Sequence, residues 1–295
     1  MNYYGEKREA LRANLHTHTT LSDGRLPAEE VIDAYAAQGY DVLAITDHHQ
    51  VNDVTQWDNR GMIIIQGAEL HPVLTPDRSR WHLVALNLPL DFKCLRPFDT
   101  GESAQEVIDA VAAAGGITSV AHPNWCAFSS ADIKDLKNYF ALEVYNTECE
   151  FYGRAYSEQT WDELLAAGYK VSAVAVDDMH RRCALFGGWT VICAKERTLS
   201  AVLDALKKGE FYATQGPEFH TLSFDGKKLY AEFSEVVRAS LVLKYSGKCL
   251  IIPGQDAPGT SAEYDVENLL ANGGYARWSI TDAQGRSAWS NPIYF

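Results

Sequence analysis

Short runs of apolar and β-branched residues alternate with helical patterns from residue 14 to about residue 200. The predicted strands end in LHTHT, DVLAITDHH, GMIIIQGAEL, HLVALNL, GITSVAHP, ALEVYN and KVSAVAVDD. The segments between them repeat apolar residues at i, i+3, i+4 and i+7 and often finish at Gly, which is typical of amphipathic helices. These segments are PAEEVIDAYAAQGY, AQEVIDAVAAAGG, SADIKDLKNYF and SEQTWDELLAAGY.

Strands that alternate with helices predict βαβ units, which form a parallel sheet with right-handed crossovers. About seven such units favour a closed barrel over an open sheet. In a barrel of this kind, functional side chains lie at the carboxyl ends of the strands. The sequence therefore predicts an α/β barrel with its site at one rim.

The pattern changes after a further predicted helix, TLSAVLDALKKGE, and the composition shifts at Gly216-Pro217. The segments FHTLSFDG, LYAEFS, SLVLKYSG and YARWSITDAQGRSAWSNPIYF alternate polar with apolar or aromatic residues. Turn signals such as Asp225-Gly226 separate them. We therefore predict a barrel over residues 1–216 and a small antiparallel β domain over residues 217–295.

The chain has 295 residues with 46% hydrophobic and 22% charged residues, the composition of an ordinary globular protein. An apolar run of about 18 residues, which a membrane helix needs, is absent from the sequence. Charges interrupt the first fifteen residues, and the six cysteines are scattered without a CxxC pair. We therefore expect no secretory signal, reduced thiols and a cytoplasmic location.

The formal net charge of −13 argues against broad nucleic-acid binding through a basic surface. An anionic substrate would need a local feature that overcomes the acidic background. Bound metal cations would provide it.

The histidines point to such cations. Eight of the nine precede residue 181, and seven of these fall at or just beyond the end of a predicted strand. His16 and His18 are two residues apart on a strand, so both imidazoles project from the same face. Asp178 and His180 repeat this spacing on the last strand. A single histidine at a strand end is usually a hydrogen-bonded surface residue, but this succession on one rim predicts a metal site.

Other candidate ligands follow the remaining strands. Glu69, His48 and His122 each stand at a strand end, and Asp23 lies in the loop after the first strand. Imidazole and carboxylate ligands suit Zn, Mn or Fe, and the absence of cysteine from the set weakens a structural zinc interpretation. His82 stands at the start of its apolar run, so the barrel rule alone would exclude it. His71 has ligand-like spacing from Glu69, but it could equally form hydrogen bonds to a ligand.

Six segments together resemble the PHP (polymerase and histidinol phosphatase) family. They are HTHTTLSDG (16–24), ITDHH (45–49), GAE (67–69), WH (81–82), AHP (121–123) and DDMH (177–180). The resemblance covers roughly residues 13 to 215 and implies a distorted (β/α)7 TIM-like barrel. It also implies three divalent transition metal ions, Mn, Fe or Zn.

The resemblance further implies how the ligands are shared. His16, His18 and Asp178 would hold the first metal, with Glu69 as a bridge to the second. His82 and His122 would complete the second metal site. The third metal would be held by Asp23, His48 and His180. Asp47 would then fix neighbouring ligands through hydrogen bonds.

The sequence departs from the family at His49, because many relatives have an acidic residue there. The C-terminal segment is similar to a β domain found in PHP-like hydrolases that include carbamate-ester hydrolases, over fewer residues. Its aromatic residues are more simply explained as core.

The function implied is hydrolysis of a small phosphate ester by a hydroxide that bridges two metals. Asp178, His180 or His49 would protonate the leaving group. The candidate substrate-binding residues are Arg154, Arg181, Arg182, Asn124 and Asn146, which follow predicted strands. Two alternatives stay open: hydrolysis of a carboxylic or carbamic ester, and a non-catalytic metal-binding structural module. The sequence decides neither the substrate nor the oligomeric state.

Overall fold

A computed structural model describes residues 1–72, 81–93, 103–244, 246–251, 258–267 and 273–295. Its first eleven strands are β1 (Asn2–Tyr3), β2 (Glu6–Lys7), β3 (Glu9–Asn14), β4 (Val42–Ile45), β5 (Ile63–Leu70), β6 (Leu83–Leu86), β7 (Ile117–Val120), β8 (Ala141–Asn146), β9 (Ser172–Val176), β10 (Trp189–Ala194) and β11 (Phe211–Thr214). The helices are α1 (Ala28–Ala37), α2 (Ala104–Ala113), α3 (Ser130–Ile133), α4 (Glu158–Ala166) and α5 (Leu199–Lys208). Short 3-10 helices cover Val54–Gln56, Glu148–Tyr152 and Arg182–Ala184.

The later strands belong to the predicted β region. They are β12 (Phe219–Phe224), β13 (Lys228–Val236), β14 (Arg238–Leu243), β15 (Ser246–Ile251), β16 (Gly259–Asp265), β17 (Tyr275–Thr281), β18 (Ser287–Ser290) and β19 (Ile293–Tyr294). Their pairings with one another are all antiparallel, as predicted.

The predicted βαβ strands form one continuous series, β3-β4-β5-β6-β7-β8-β9. The pairs β3–β4, β4–β5, β7–β8 and β8–β9 are parallel. Strand β6 is antiparallel to both β5 and β7, so the prediction of an all-parallel series was wrong at this strand. The start of β6 therefore lies at the same rim as the carboxyl ends of the other strands.

Among the described residues, the named strands do not close into a barrel, so the predicted (β/α)7 barrel is not confirmed. The sheet instead continues past β3 to β10 and β11, both paired antiparallel. The first and last strands of the series meet at a single bridge between Thr17 and Met179. Backbone hydrogen bonds from Asp178 N to His16 O (3.0 Å) and from His18 N to Met179 O (3.1 Å) hold this junction. The mixed α/β class is confirmed, and the first and last strand ends of the series lie together.

The helices follow the predicted amphipathic pattern, with one exception. Helix α2 begins with a capping box between Ser103 and Glu106, and α5 ends at Gly209, whose φ of 72° suits glycine. The segment SADIKDLKNYF was predicted as a full helix but forms only the single turn of α3. Ile133 is the one buried residue of that turn, so there is no apolar face to support a longer helix.

The C-terminal strands are joined to the rest of the chain by strand pairing. β18 pairs antiparallel with β11, and the N-terminal β1 pairs parallel with β12. Arg277 on β17 is buried and contacts α4, donating to Asp162 at 2.7 and 2.9 Å and to Glu158 at 2.8 Å. Its guanidinium also lies 4.5 Å from the centre of the Trp161 ring.

Four cysteines in the described part of the chain, Cys126, Cys149, Cys183 and Cys193, are free thiols. Cys94 and the side chain of Cys249 lie outside the described residues. Among the described residues, none of the helices has the length and apolar character to cross a membrane.

Candidate metal centre

His16 and His18 follow β3 directly and are completely buried. Their Nε2 atoms lie 3.1 Å apart, so two ring nitrogens point at one position. Backbone pairing of this segment with the residues after β9 fixes both rings, because the Thr17–Met179 bridge lies between them. The predicted shared orientation of the two imidazoles is therefore present.

Glu143 on β8 orients His16. Its Oε1 lies 2.7 Å from His16 Nδ1, while Oε2 accepts from the backbone N of His122 (2.8 Å) and from Asn146 Nδ2 (2.8 Å). A carboxylate at Nδ1 holds the proton there and turns the Nε2 lone pair toward the cluster. Glu143 was not predicted from the sequence, although a charged residue inside the buried strand ALEVYN was the available signal.

The two oxygens of Glu69 face different sets of imidazoles. Oε2 lies 3.2 Å from Nε2 of both His16 and His18. Oε1 lies 2.6 Å from His82 Nδ1 and 3.5 Å from His122 Nε2. The reversed direction of β6 explains the position of His82, since the residue that precedes this strand reaches the same rim as Glu69. One carboxylate thus lies between two groups of nitrogen donors.

Asp178 belongs with His16, His18 and Glu69 to one buried set of donors, the inner group. Its Oδ1 lies 3.2 Å from His16 Nε2 and 3.1 Å from His18 Nε2, and its Oδ2 accepts from Asn146 Nδ2 at 3.1 Å. The backbone of Asp178 has a φ of 51°, and that of His122 a φ of 27°, in the region that non-glycine residues rarely occupy. Such strain is typical of functional sites.

An outer group lies toward solvent around Asp23. Its carboxylate oxygens lie 3.3 Å from His180 Nε2 and 3.5 Å from His48 Nε2, and 3.8 Å from His18 Nδ1. The Asp23 side chain is 56% exposed, unlike the inner carboxylates. His48 also reaches the inner group, with its Nδ1 3.0 Å from Glu69 Oε2.

The carboxylates control the protonation of these rings. Burial alone would lower the pKa of His48, but Glu69 and Asp23 outweigh it and raise the pKa to about 10. Burial likewise opposes protonation of His180, while Asp23 and Asp178 raise its pKa to about 9. The pKa of His16 is raised well above its ordinary value against the effect of burial, chiefly by Asp178.

Two other shifts distinguish members of the cluster. Burial lowers the pKa of His82 to about 3, so this imidazole is neutral. Although burial opposes it, the surrounding imidazoles hold the pKa of Asp178 and of Glu69 below the ordinary value. Without metal, the centre is a network of anionic carboxylates and partly protonated imidazoles.

The donor atoms form four sets within which all atoms lie within 4.8 Å of one another. The sets are His16, His18, Glu69 and Asp178; Glu69, His82 and His122; His18, Asp23, His48 and His180; and His48, Glu69 and His71. All nine predicted ligands occur in the first three.

The donor chemistry fits divalent transition metal ions, which bind imidazole nitrogen and carboxylate oxygen. Among the described residues, the buried Asp178 Oδ1 has no hydrogen bond of normal geometry, and it faces Nε2 of both His16 and His18, a convergence of donor atoms that a cation would satisfy. The carboxylate behind His16 is the outer support that metal-binding histidines commonly have. These groups could therefore hold metal ions.

Three residues predicted beside the ligands lie around the cluster. Asp47 is buried and accepts from Thr19 N (2.8 Å), Thr19 Oγ1 (2.8 Å) and Ser22 Oγ (2.5 Å), which fixes the loop that carries Asp23. The His71 ring stacks on His82 at 3.8 Å. His49 has a φ of 56°, and its ring lies 4.5 Å from that of His71.

The predicted substrate-binding residues have different environments. Arg181 lines the cavity above the cluster and pairs with Glu148. Arg182 instead pairs with Glu30 on α1 at 2.5 Å, and Arg154 donates to the Asn124 carbonyl at 3.1 Å; neither lines the cavity. Asn146 lies beneath the cluster, on Glu143 and Asp178, and therefore positions ligands.

Asn124 is also held away from the cavity. Its Nδ2 donates to the Tyr156 carbonyl at 3.0 Å, and its backbone N donates to Ser157 Oγ at 3.0 Å.

The cluster forms the floor of a cavity of about 380 Å³. Its walls include five residues that were not predicted from the sequence: Arg25, Trp125, Glu148, Cys149 and Tyr152. Arg25 lies beside His180, since its backbone N donates to the His180 carbonyl at 2.8 Å. The position of Arg25 directly after the SDG segment was the one available sequence signal.

Two protein families match parts of the sequence. Residues 14–115 match the PHP domain family, and residues 140–243 match a protein family of unknown function, DUF3604. The second match crosses residue 216, where the sequence analysis placed a domain boundary. None of the curated proteins matches the sequence.

A solved two-domain protein from Bacteroides vulgatus, described as containing a PHP-like metal-dependent phosphoesterase, has a similar fold. The TM-score is 0.55 at 15% identity, and the similarity covers 98% of this chain and 96% of the other. An amidohydrolase from Chromobacterium violaceum gives a TM-score of 0.42 at 17% identity, covering 57% of this chain and 87% of the other. The lesion-specific endonuclease EndoQ from Pyrococcus furiosus gives 0.46 at 15% identity, covering 68% and 56%.

The last two similarities have TM-scores below 0.5 and carry no weight for the fold. The similarity to the Bacteroides vulgatus protein extends over nearly all of both chains. Residues 14–115 thus match the PHP domain family, and the fold of the whole chain is similar to that of the Bacteroides vulgatus protein.

Proposed function

We propose that this protein is a metal-dependent phosphoesterase that hydrolyses a small phosphate ester at a trinuclear site. The observation that carries the proposal is the position of Glu69, whose two oxygens face two separate groups of imidazoles. One divalent ion would be held by each of three sets: His16, His18, Glu69 and Asp178; Glu69, His82 and His122; and the outer group around Asp23. When bound, such ions lower the pKa of water toward about 7 and neutralise phosphate charge.

The residues of the chain would supply position and proton transfer. Glu143 and Asn146 hold His16 and Asp178 from below, so the ligand atoms are fixed before substrate arrives. Asp178 and His180 line the cavity, whereas His49 does not line it. The lowered pKa of Asp178 keeps this carboxylate anionic, so His180, whose pKa is raised, is the better candidate to donate a proton to the leaving group.

The test is turnover of p-nitrophenyl phosphate by protein reconstituted with manganese, with metal content measured on the same sample. Glu69→Gln should lose at least about 100-fold in activity together with bound metal. The amide replaces one of the two carboxylate oxygens by an NH2 group, which cannot bind a cation, and it removes the negative charge that both sites share. Glu235→Gln, at an exposed position on β13, is the matched control and should keep both. Full turnover after removal of every metal would refute the proposal.

A carboxylic or carbamic ester is the second candidate substrate. Arg181, one of two arginines in the cavity wall, is paired with Glu148 of the same wall, which reduces its attraction for a phosphate dianion. A side-by-side assay of p-nitrophenyl phosphate and p-nitrophenyl acetate separates the two candidates. A strong preference for the acetate would favour this candidate, and a metal-loaded protein that hydrolyses neither would indicate a structural module.

A further inference from the structure

Two exposed aromatic side chains stand in the wall of the metal cavity. Trp125 is 38% exposed and Tyr152 is 56% exposed, and both line the cavity. Large apolar side chains are usually buried, and an exposed group of them in a concave site indicates contact with a ligand.

The indole of Trp125 lies directly above the metal cluster. Its ring centre is 5.1 Å from that of His122 and 5.4 Å from that of His82. Its backbone N donates to the His122 carbonyl at 3.0 Å, so the loop that carries the indole is tied to a candidate ligand. A group attached to an ester bound at the cluster would therefore lie next to this ring.

Tyr152 extends the same wall outward. Its ring centre lies 6.3 Å from that of Trp125, at 72° to it. The two rings are too close to admit a third ring between them, but together they form an L-shaped apolar surface. A planar group could stack on the indole with its edge against the phenol.

Of the two arginines in the cavity wall, one is neutralised by an acidic partner. Arg181 pairs with Glu148 and lies over Phe151, with the guanidinium 5.4 Å from the ring centre. Arg25 is exposed at the cavity edge beside His180. This arrangement suits a small ligand with one anionic group and an apolar ring, and it does not suit a polyanion.

We infer that the substrate carries a planar aromatic ring next to its ester, and that Trp125 and Tyr152 are the residues that select it. The inference rests on the proposed function, since it describes the leaving-group side of the same site. The chemical class is a phosphate monoester of an aromatic or aryl-methyl alcohol.

The experiment compares two inhibitors on manganese-loaded protein by binding calorimetry. Benzylphosphonate and cyclohexylmethylphosphonate have the same charge and similar size, but only the first has a planar ring. Benzylphosphonate should bind about threefold to tenfold more tightly, as expected for stacking on an exposed indole. Trp125→Leu and Tyr152→Leu should reduce this preference, while Trp125→Phe should retain part of it.

The matched control is Tyr169→Leu, an exposed tyrosine in the turn after α4, which should leave the preference unchanged. Metal content is measured for each variant, so that loss of the cluster is not mistaken for loss of the ring contact. Equal affinity for the two phosphonates, or a preference that survives in both leucine variants, would overturn the inference. So would failure of both compounds to bind.

The binding measurement does not depend on turnover. Tight, ring-selective binding without hydrolysis of any phosphate ester would refute the proposed function and leave the ring preference standing. Normal hydrolysis with no ring preference would refute only the inference.

Discussion

Glu143 Oε1 lies 2.7 Å from His16 Nδ1, and both residues are buried. The two residues are 127 positions apart in the sequence, and their contact joins β8 to the segment after β3. The other oxygen, Oε2, accepts two hydrogen bonds, so the Glu143 carboxylate is held in one orientation. It therefore determines which nitrogen of His16 faces the cluster.

Glu143→Gln should weaken metal binding about tenfold to 100-fold, as expected when the partner of a ligating histidine is removed. The amide would present an NH2 group to one of three donors that now share the carboxylate. Metal affinity is measured by competition with a chelator, and thermal unfolding checks the fold. Glu235→Gln is again the control, and unchanged affinity in Glu143→Gln would show that His16 is oriented by other contacts.

Asp23→Ala should remove one metal and leave the inner ones. Asp23 is the most exposed of the candidate carboxylate ligands and contacts chiefly the outer imidazoles, His48 and His180. Elemental analysis after reconstitution should show a loss of about one ion per chain relative to the unaltered protein. Asp53→Ala, which changes a partly exposed carboxylate that caps the 3-10 helix Val54–Gln56, should have no such effect. A loss of all metal in Asp23→Ala would contradict separate inner and outer groups.

Metal binding should release protons and strengthen as pH rises. The raised pKa values of His48 (about 10) and His180 (about 9) mean that both rings are protonated at neutral pH in the metal-free protein. A cation binds neutral imidazole, so its apparent affinity should rise by up to about tenfold per pH unit for each proton released. The rise should continue until pH approaches these pKa values.

The measurement is manganese titration between about pH 6.5 and pH 8.5, with calorimetry in buffers of different ionisation enthalpy to count the protons. An affinity that is independent of pH across this range would contradict the assigned protonation.

Arg277→Met should destabilise the fold without changing the metal centre. Removing one partner of a buried ion pair typically costs about 3–5 kcal/mol. The side chains of Asp162 and Glu158 are 33% and 36% exposed, so water can solvate them, and we expect about 2–3 kcal/mol. Arg286→Met, at an arginine that is 52% exposed, is the control and should cost less than about 1 kcal/mol.

Denaturant unfolding measures both variants, and metal content per folded molecule should be equal in them. A destabilisation by Arg277→Met no larger than that of the control would show that the contact between β17 and α4 contributes little.

The local patterns predicted much of the fold and the positions of the histidines. Helices α1, α2, α4 and α5 could be predicted because each has an apolar face and a clear stop. The direction of β6 could not, because reversing a strand leaves its own hydrophobic pattern unchanged. For that reason the position of His82 had to be inferred from the family resemblance.

Residues that depend on distant partners were the hardest to predict. Glu143 is functional only because β8 lies across from the segment after β3, and Arg182 is held away from the site by Glu30 on α1. Arg25 and Trp125 belong to loops whose course is set by backbone hydrogen bonds to His180 and His122. No periodicity in the sequence encodes these contacts.

The pairing of β18 with β11 affects how the chain can be divided. A fragment that stopped at Gly216 would lose this partner and present an uncovered strand edge, while β1 would lose β12. Uncovered edges recruit strands from other molecules, so such a fragment should self-associate when expressed alone. We therefore expect the C-terminal strands to protect the edges of β11 and β1 from pairing with other molecules.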